Sequence, residues 1–265
     1  MYQFAYHRPG SLAEAEKLFS AAEDPKFMSG GQTLIPTLKQ RLASPSDIID
    51  LGGLKDLAGI TVADGVVTIG AATRHADVAS SAEVRKAIPA LADLAGWIGD
   101  PLVRHRGTIG GSIANADPSA DYPAAVVALN ATVHTTRRTI AADDFFTGMF
   151  ETALHTGEIV TKIAFPVAAQ AAYEKFRNPA SRYAMVGVFV ARTAGGVRVA
   201  VTGAAPSVFR QEAMEAALGK SFTPDTVAGI KVSPDGLNAD LHASAEYRAH
   251  LVTVMAKRAV ARANG

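Results

Sequence analysis

Cysteine is absent from this 265-residue sequence. The chain therefore forms no disulfides and has no thiolate to offer an iron–sulfur cluster. An excess of charge of either sign is also lacking, since 26 Lys and Arg face 25 Asp and Glu for a formal net charge of +1. Nucleic-acid binding needs a concentrated basic face, and the local cluster "VRHRG" at 103–107 is too short to form one. Its expected use is to offset the charge of a bound phosphate. No apolar run approaches the roughly 20 residues of a membrane span. The opening "MYQFAYHRPGS" lacks the basic-then-apolar layout of a secretory signal, so the expected compartment is the cytoplasm. The histidines, at 7, 75, 105, 134, 155, 242 and 250, show no metal-ligand spacing with one another or with carboxylates. They read as structural or superficial, with His105 nearest any anion, and the single Trp97 reads as core.

What is present is ordinary globular composition, 48% hydrophobic and 19% charged, enough for one large domain or two smaller ones. Residues 1–51 alternate as β-α-β-α-β, with Ser11 and Glu14 at capping-box spacing ahead of an apolar helical face. From residue 59, "GITVADGVVTIGAAT" holds two apolar runs joined by Ala-Asp-Gly, a hairpin signal. Helical stretches follow around 74–96, then a glycine-rich segment, a short helix through "YPAAVVALN", a strand pair at "ATVHTT" and "RTIAADDFF", and the strand "EIVTKIAFP". Beyond a boundary near 166–171, three antiparallel strands, "AYEKFR", "AMVGVFVART" and "GVRVAVTGAAP", precede helices at about 210–218, 223–230 and 244–262.

The familiar nucleotide and hydrolase signatures fail. No G-x-G-x-x-G occurs. "GKS" at 219–221 has Met214 where a P-loop needs glycine, and "GGSIA" at 110–114 has Ala114 where a nucleophile elbow needs glycine. Two double glycines remain, in "SGGQTLIP" at 29–36 and "TIGGSIANADPSADYP" at 108–123. Glycine lets consecutive amides turn toward one anion, and a helix starting just afterwards adds its N-terminal donors. Two such loops are suited to gripping the two phosphates of a pyrophosphate, with the hydroxyls of Ser29, Thr33, Thr108 and Ser112 as further donors. Each loop taken alone also reads as a tight strand–helix turn, and the pair puts the two readings level. Asp117 reads as a turn residue at Pro118, while Asp121 is placed to bind a ribose or ribityl chain. Lys175, Arg177 and Arg182 alternate with aromatics ahead of Tyr183 in "KFRNPASRYAM", as in a hairpin with solvated charges.

These stretches, together with "SGGQTLIPTLKQRL", "VRHRGTIGGSIANADPSADYPA", "GEIVTKIAFP" and "YEKFRNPASRYAMVGV", resemble the FAD-binding medium subunit of molybdenum hydroxylases, the xanthine dehydrogenase and carbon monoxide dehydrogenase group. The resemblance runs from "FAYHRPGSLAEA" to "SAEYRAHLVTVMAKRAV". It implies an α+β flavoprotein with a vanillyl-alcohol-oxidase-type (PCMH-type) FAD-binding domain over residues 1–168, in two α/β subdomains of about 1–55 and 56–168. A C-terminal domain of three antiparallel strands and helices would occupy 169–265. It implies that Ser29, Gly30, Gly31, Gln32 and Thr33 wrap the pyrophosphate from one side and Thr108, Ile109, Gly110 and Gly111 from the other. Asn115 and Asp121 would meet the ribityl and adenosine portions. Ile159 and Val160 would meet the flavin ring through their backbone, with Lys175 close by and Tyr183 covering the ring. It implies no acid–base residue on this chain and FAD bound without a covalent link.

The implied activity is electron transfer. Substrate is hydroxylated at a molybdenum cofactor on a large partner chain, and electrons reach FAD through two [2Fe–2S] clusters on a small partner chain, the whole being a dimer of heterotrimers. An external acceptor (NAD, oxygen or a quinone) then receives them. The alternatives are a stand-alone flavin oxidase of a small alcohol and a scaffold subunit without flavin.

Overall fold

The computed structural model describes every residue from Met1 to Gly265. Strand β1 (Ala5–His7), helix α1 (Leu12–Ala21), strand β2 (Pro25–Met28), helix α2 (Leu34–Lys39) and strand β3 (Asp47–Asp50) form the first unit. Its strands are parallel in the order β1-β3-β2. Ser11 caps α1, its Oγ accepting from the Glu14 amide at 3.2 Å. The Glu14 carboxylate reaches back to the Gly10 amide at 2.7 Å, one residue ahead of the usual capping-box partner.

The second unit opens with β4 (Ile60–Ala63) and β5 (Val66–Gly70). Their turn places Asp64 and Gly65 at φ 51° and 74°, the doubly left-handed geometry that suits the twist of a two-residue hairpin. Helices α3 (His75–Ser80), α4 (Ala82–Ala87), α5 (Pro89–Gly96), α6 (Pro101–Arg104), α7 (Ile109–Asn115) and α8 (Tyr122–Ala128) follow. Then come β6 (Thr132–Thr135), β7 (Thr139–Ala141), the single turn α9 (Ala142–Phe145), the small pair β8 (Phe146–Gly148) and β9 (Glu151–Thr152), and β10 (Val160–Pro166). The five-stranded sheet has the order β4-β5-β10-β6-β7 and is antiparallel throughout. Ile163 and Phe165 of β10 share its buried face with Val67, Ile69 and Val133. The stretch "RTIAADDFF" does not continue as one strand. It coils into α9, which buries Ala142 and Phe145.

The last unit contains β11 (Gln170–Arg177), β12 (Ala184–Thr193), β13 (Gly196–Thr202), β14 (Phe209–Arg210), α10 (Glu212–Lys220), α11 (Pro224–Ala228) and α12 (Ala245–Ala263). Three strands were expected, and the sheet has a fourth because Phe209 and Arg210 pair with Val201 and Ala200. Two residues are too few for alternation to register in a sequence. Strand β12 is buried continuously from Ala184 to Ala191 because both its faces are covered. Val186, Val188 and Val190 pack with Leu251, Val252 and Met255 of α12, while Phe189 and Ala191 join the core beneath the five-stranded sheet. The four-stranded sheet β11-β12-β13-β14 is therefore a wall shared by two cores. Trp97, expected in the core, is half-buried, with the Arg177 and Arg262 guanidiniums 4.6 and 4.9 Å from its ring centroid. No helix is long and apolar enough to cross a membrane.

Candidate cofactor site

Strand β2 ends at Met28, and the chain turns through residues 29–33 before α2 begins. Gly31 has φ +71°, a left-handed conformation that glycine adopts without steric cost. From Ser29 through Leu34 no main-chain N–H donates to a protein acceptor. Backbone donors are seldom left unmatched, and consecutive ones along a turn form an anion-binding concavity.

The second glycine pair is built differently. It lies inside the first turn of α7 rather than ahead of it, with Thr108 as the cap, Oγ1 accepting from the Gly111 amide at 3.2 Å. The Ile109 and Gly110 amides donate to the carbonyls of Thr73 (3.1 Å) and Ala71 (2.9 Å), and that of Ser112 to Thr108 (3.0 Å). Free amides were expected on both loops; the first has a run of them, whereas on the second, among residues 108–112, only the Thr108 amide is without a protein acceptor. Gly110 is required by packing, since a Cβ there would stand 2.5 Å from the Ala71 Cβ.

The two loops nevertheless meet. Ser29 Oγ and Thr108 Oγ1 lie 2.9 Å apart across 79 residues of chain. A Cβ on Gly30 would stand 2.1 Å from the Arg106 carbonyl oxygen, so this contact needs the bare backbone of glycine.

A cleft of about 810 Å³ runs along the junction, within the usual size of small-molecule sites. Its walls include Ser29, Gly30, Gly31, Gln32 and Thr33 from the first loop, and Thr108, Gly110, Gly111 and Asn115 from the second. Asp121, Ile159, Val160 and Tyr183 complete the expected residues that reach it. Ile109 does not, because its side chain is wholly buried in the core. Lys175 does not either. Its Nζ lies 2.9 and 3.0 Å from the Asp121 carboxylate oxygens and 3.0 Å from the Trp97 carbonyl. The Tyr173 hydroxyl donates to the same carboxylate. Burial pushes the Asp121 carboxyl up, against the opposing pull of Lys175 and Tyr173. Lys175 thus bears on the cleft through Asp121.

The segment carrying Asp121 is pinned from both sides. Asp117 Oδ1 accepts from the Ser119 amide at 2.8 Å, the expected turn at Pro118. The Gly203 amide donates to the Pro118 carbonyl at 2.7 Å, and the Thr202 hydroxyl lies 2.6 Å from the Ala120 carbonyl. The basic cluster is not on the cleft. Arg104 holds the carbonyls of Ile98 and Gly99, His105 bonds the Pro101 carbonyl at 2.6 Å, and Arg106 borders a second cavity of about 460 Å³.

Two wall residues carried no signal in the sequence, His75 and Glu158. Burial opposes ionisation of Glu158, but donors from Arg138, the His155 amide and Thr135 overcome it and hold the carboxyl at about 2. Neither residue belongs to a motif, and only the folded chain brings them to the cleft. No group of His, Asp and Glu is arranged to hold a metal ion.

Comparison with known proteins identifies the family. Residues 2–168 match the model of the FAD binding domain in molybdopterin dehydrogenase, and residues 171–263 that of the CO dehydrogenase flavoprotein C-terminal domain. The carbon monoxide dehydrogenase medium chain of Hydrogenophaga pseudoflava is 36% identical, over 97% of this chain and 96% of its own. The nicotine 6-hydroxylase medium subunit of Paenarthrobacter nicotinovorans is 34% identical, over 97% of this chain and 96% of its own. Among solved structures, the Hydrogenophaga pseudoflava carbon monoxide dehydrogenase that lacks the Mo-pyranopterin moiety superimposes with a TM-score of 0.89. It is 38% identical and covers 98% of this chain and 97% of its own. With both of its halves matched and its loops converging on one cleft, the chain belongs to the family of FAD-binding medium subunits of molybdenum hydroxylases.

Proposed function

We propose that this chain is the FAD-carrying electron-transfer subunit of a heteromeric molybdenum hydroxylase, taking electrons from [2Fe–2S] clusters on a partner chain and delivering them to an external acceptor. The observation that carries this reading is the run of unmatched amides from Ser29 to Leu34, facing Thr108 across one cleft. Such a run suits a diphosphate, whose oxygens accept from main-chain donors where no side chain blocks approach.

Ser29, Gly30, Gly31, Gln32 and Thr33 hold the diphosphate, and Thr108, Gly110 and Gly111 close the opposite side. Asn115 and Asp121 meet the ribityl and adenosine portions, Ile159 and Val160 form a wall, and Tyr183 covers the ring from the rim. Lys175, with Tyr173, fixes the carboxylate of Asp121 in place. Residues 1–55 and 56–168 correspond to the two subdomains of a vanillyl-alcohol-oxidase-type FAD-binding domain, and 169–265 to the C-terminal flavoprotein domain. FAD, when bound, supplies the redox chemistry; the chain supplies orientation and a dry surround.

In this reading substrate is oxidised on a molybdopterin-binding large chain, the clusters sit on a small chain, and the three assemble as a dimer of heterotrimers in the cytoplasm. Purification of the native complex tests it. The expected result is flavin absorbance that follows this chain, with both partner chains co-purifying. A chain that purifies alone with FAD and oxidises a small alcohol without molybdenum would replace this reading with a flavin oxidase. A native complex without flavin would replace it with a scaffold.

A further inference from the structure

Helix α12 carries a charge where its packing asks for an apolar side chain. Its buried stripe runs through Arg248, Leu251, Val252, Met255 and Ala256, a helical period with an arginine at its first position. Arg248 is 4% exposed, and a buried guanidinium is costly unless its donors are matched. Nη2 donates to the exposed Asp240 carboxylate at 2.8 Å. Nη1 donates to two carbonyls, those of Met185 at 2.7 Å and Gly203 at 3.1 Å. Met185 lies near the start of β12 and Gly203 just past the end of β13. The ladder between these strands stops at Gly187 and Thr202, so the guanidinium ties them together beyond their last rung.

Both strand ends lead to the cleft. Tyr183, on the cleft wall, stands two residues before Met185. The Gly203 amide holds the Pro118 carbonyl at 2.7 Å, and the Thr202 hydroxyl lies 3.0 and 2.6 Å from the carbonyls of Pro118 and Ala120, next to Asp121. Gly203 fits closely: its φ is +82°, and a Cβ there would stand 2.4 Å from the Ala184 carbonyl oxygen. Burial, with the carboxylates of Asp117 and Asp121 nearby, pushes the Tyr183 hydroxyl up, so the Tyr183 wall and the 117–121 segment are near neighbours. We propose that Arg248 is a positioning residue for the cofactor cleft: by holding the Met185 and Gly203 carbonyls at one point, it sets how far Tyr183 stands from the Asp121 segment. The proposal rests on the reading of the cleft as an FAD site and adds to it a residue of α12 that does not line the cleft.

FAD affinity, the spectrum of the bound flavin and amide hydrogen exchange, measured on the full chain, test this with the variants R248M, R248K and R210M. Methionine suits the apolar stripe, so R248M is expected to fold. It should bind FAD about tenfold more weakly, with the flavin absorption band displaced. Its Gly203 amide should exchange faster than in wild type, while the ladder between β11 and β12 stays protected. R248K should recover part of both losses, because its ammonium can donate to the same carbonyls. R210M breaks the pair with Glu215 on the same sheet and away from the cleft, and should lose stability to urea without changing FAD affinity. The proposal is overturned if folded R248M matches wild type in FAD affinity and spectrum. It is equally overturned if R210M weakens FAD binding as much as R248M, since the effect would then follow stability alone. Should R248M fail to fold, R248K decides: a weaker hold on FAD with faster Gly203 exchange supports the proposal, and a match with wild type overturns it. A wild-type chain that takes up no FAD would instead overturn the reading of the cleft itself. Gly203 exchange, read without flavin, separates that outcome from a failure of Arg248 to hold the segment.

Discussion

Replacing Gly30 with alanine tests whether the contact between the two loops shapes the cleft. The added Cβ would stand 2.1 Å from the Arg106 carbonyl oxygen and 2.8 Å from both its carbon and the Gly107 Cα. These are main-chain atoms and cannot swing aside, so the first loop must slide away from the segment joining α6 to α7. Overpacking of this kind costs about 1–3 kcal/mol. The 2.9 Å bond between Ser29 and Thr108 would go with it, worth about 1 kcal/mol. A sum of about 2–4 kcal/mol corresponds to FAD binding weakened by roughly 30- to 700-fold. Fluorescence titration of FAD with the full chain measures it, with urea unfolding run in parallel to establish that G30A is folded. G219A is the control. Its Cβ meets nothing within 4 Å on α10, and helix propensity favours alanine by up to about 1 kcal/mol, so FAD affinity should not change. Folded G30A binding FAD within about threefold of wild type would refute the reasoning.

Two further outcomes follow from the buried charges. K175M strands the Asp121 carboxylate with Tyr173 as its remaining side-chain donor, and should lower stability to urea by about 3–5 kcal/mol. Adding D121N should recover part of that loss; a loss below about 1 kcal/mol in K175M alone would mean that the pair is not structural. Glu158 is held at about 2, against an ordinary value of 4.5. A carboxyl depressed on folding contributes stability that is complete above 4.5 and disappears as pH falls through 2. The stability gap between wild type and E158Q should therefore be level at neutral pH and close between pH 4.5 and 2. Urea midpoints across that range check it, and a gap indifferent to acid would contradict the assignment.

Much of the fold was legible because its signals are local. Asp64–Gly65 marks a hairpin whatever surrounds it, and Ser11 with Glu14 announces a helix start over four residues. The glycine pairs marked both edges of the cleft for the same reason. Their meeting was not legible, since the 2.9 Å approach of Ser29 to Thr108 brings together residues 79 apart in the chain from two separately built units. The amides were misjudged on one side only. Glycine permits an open N–H, but whether a carbonyl such as that of Ala71 takes it is a tertiary matter. Lys175 shows the same limit. A lysine on an exposed face and one locked under Asp121 have the same neighbours in sequence, and only the register of β11 against β12 distinguishes them. His75 and Glu158 were missed because a solitary His or Glu carries no pattern.

The open amides of residues 29–34 have a consequence for how tightly a ligand is kept under changing conditions. Peptide nitrogens carry no titratable proton near neutrality and no net charge for salt to screen. Retention through them should hold steady across acidity and ionic strength where a ring of lysines would falter. Every residue except proline brings the same donor, so the side chains of residues 32–34 are free to vary while the hold persists, provided Ser29, Gly30 and Gly31 stay in place.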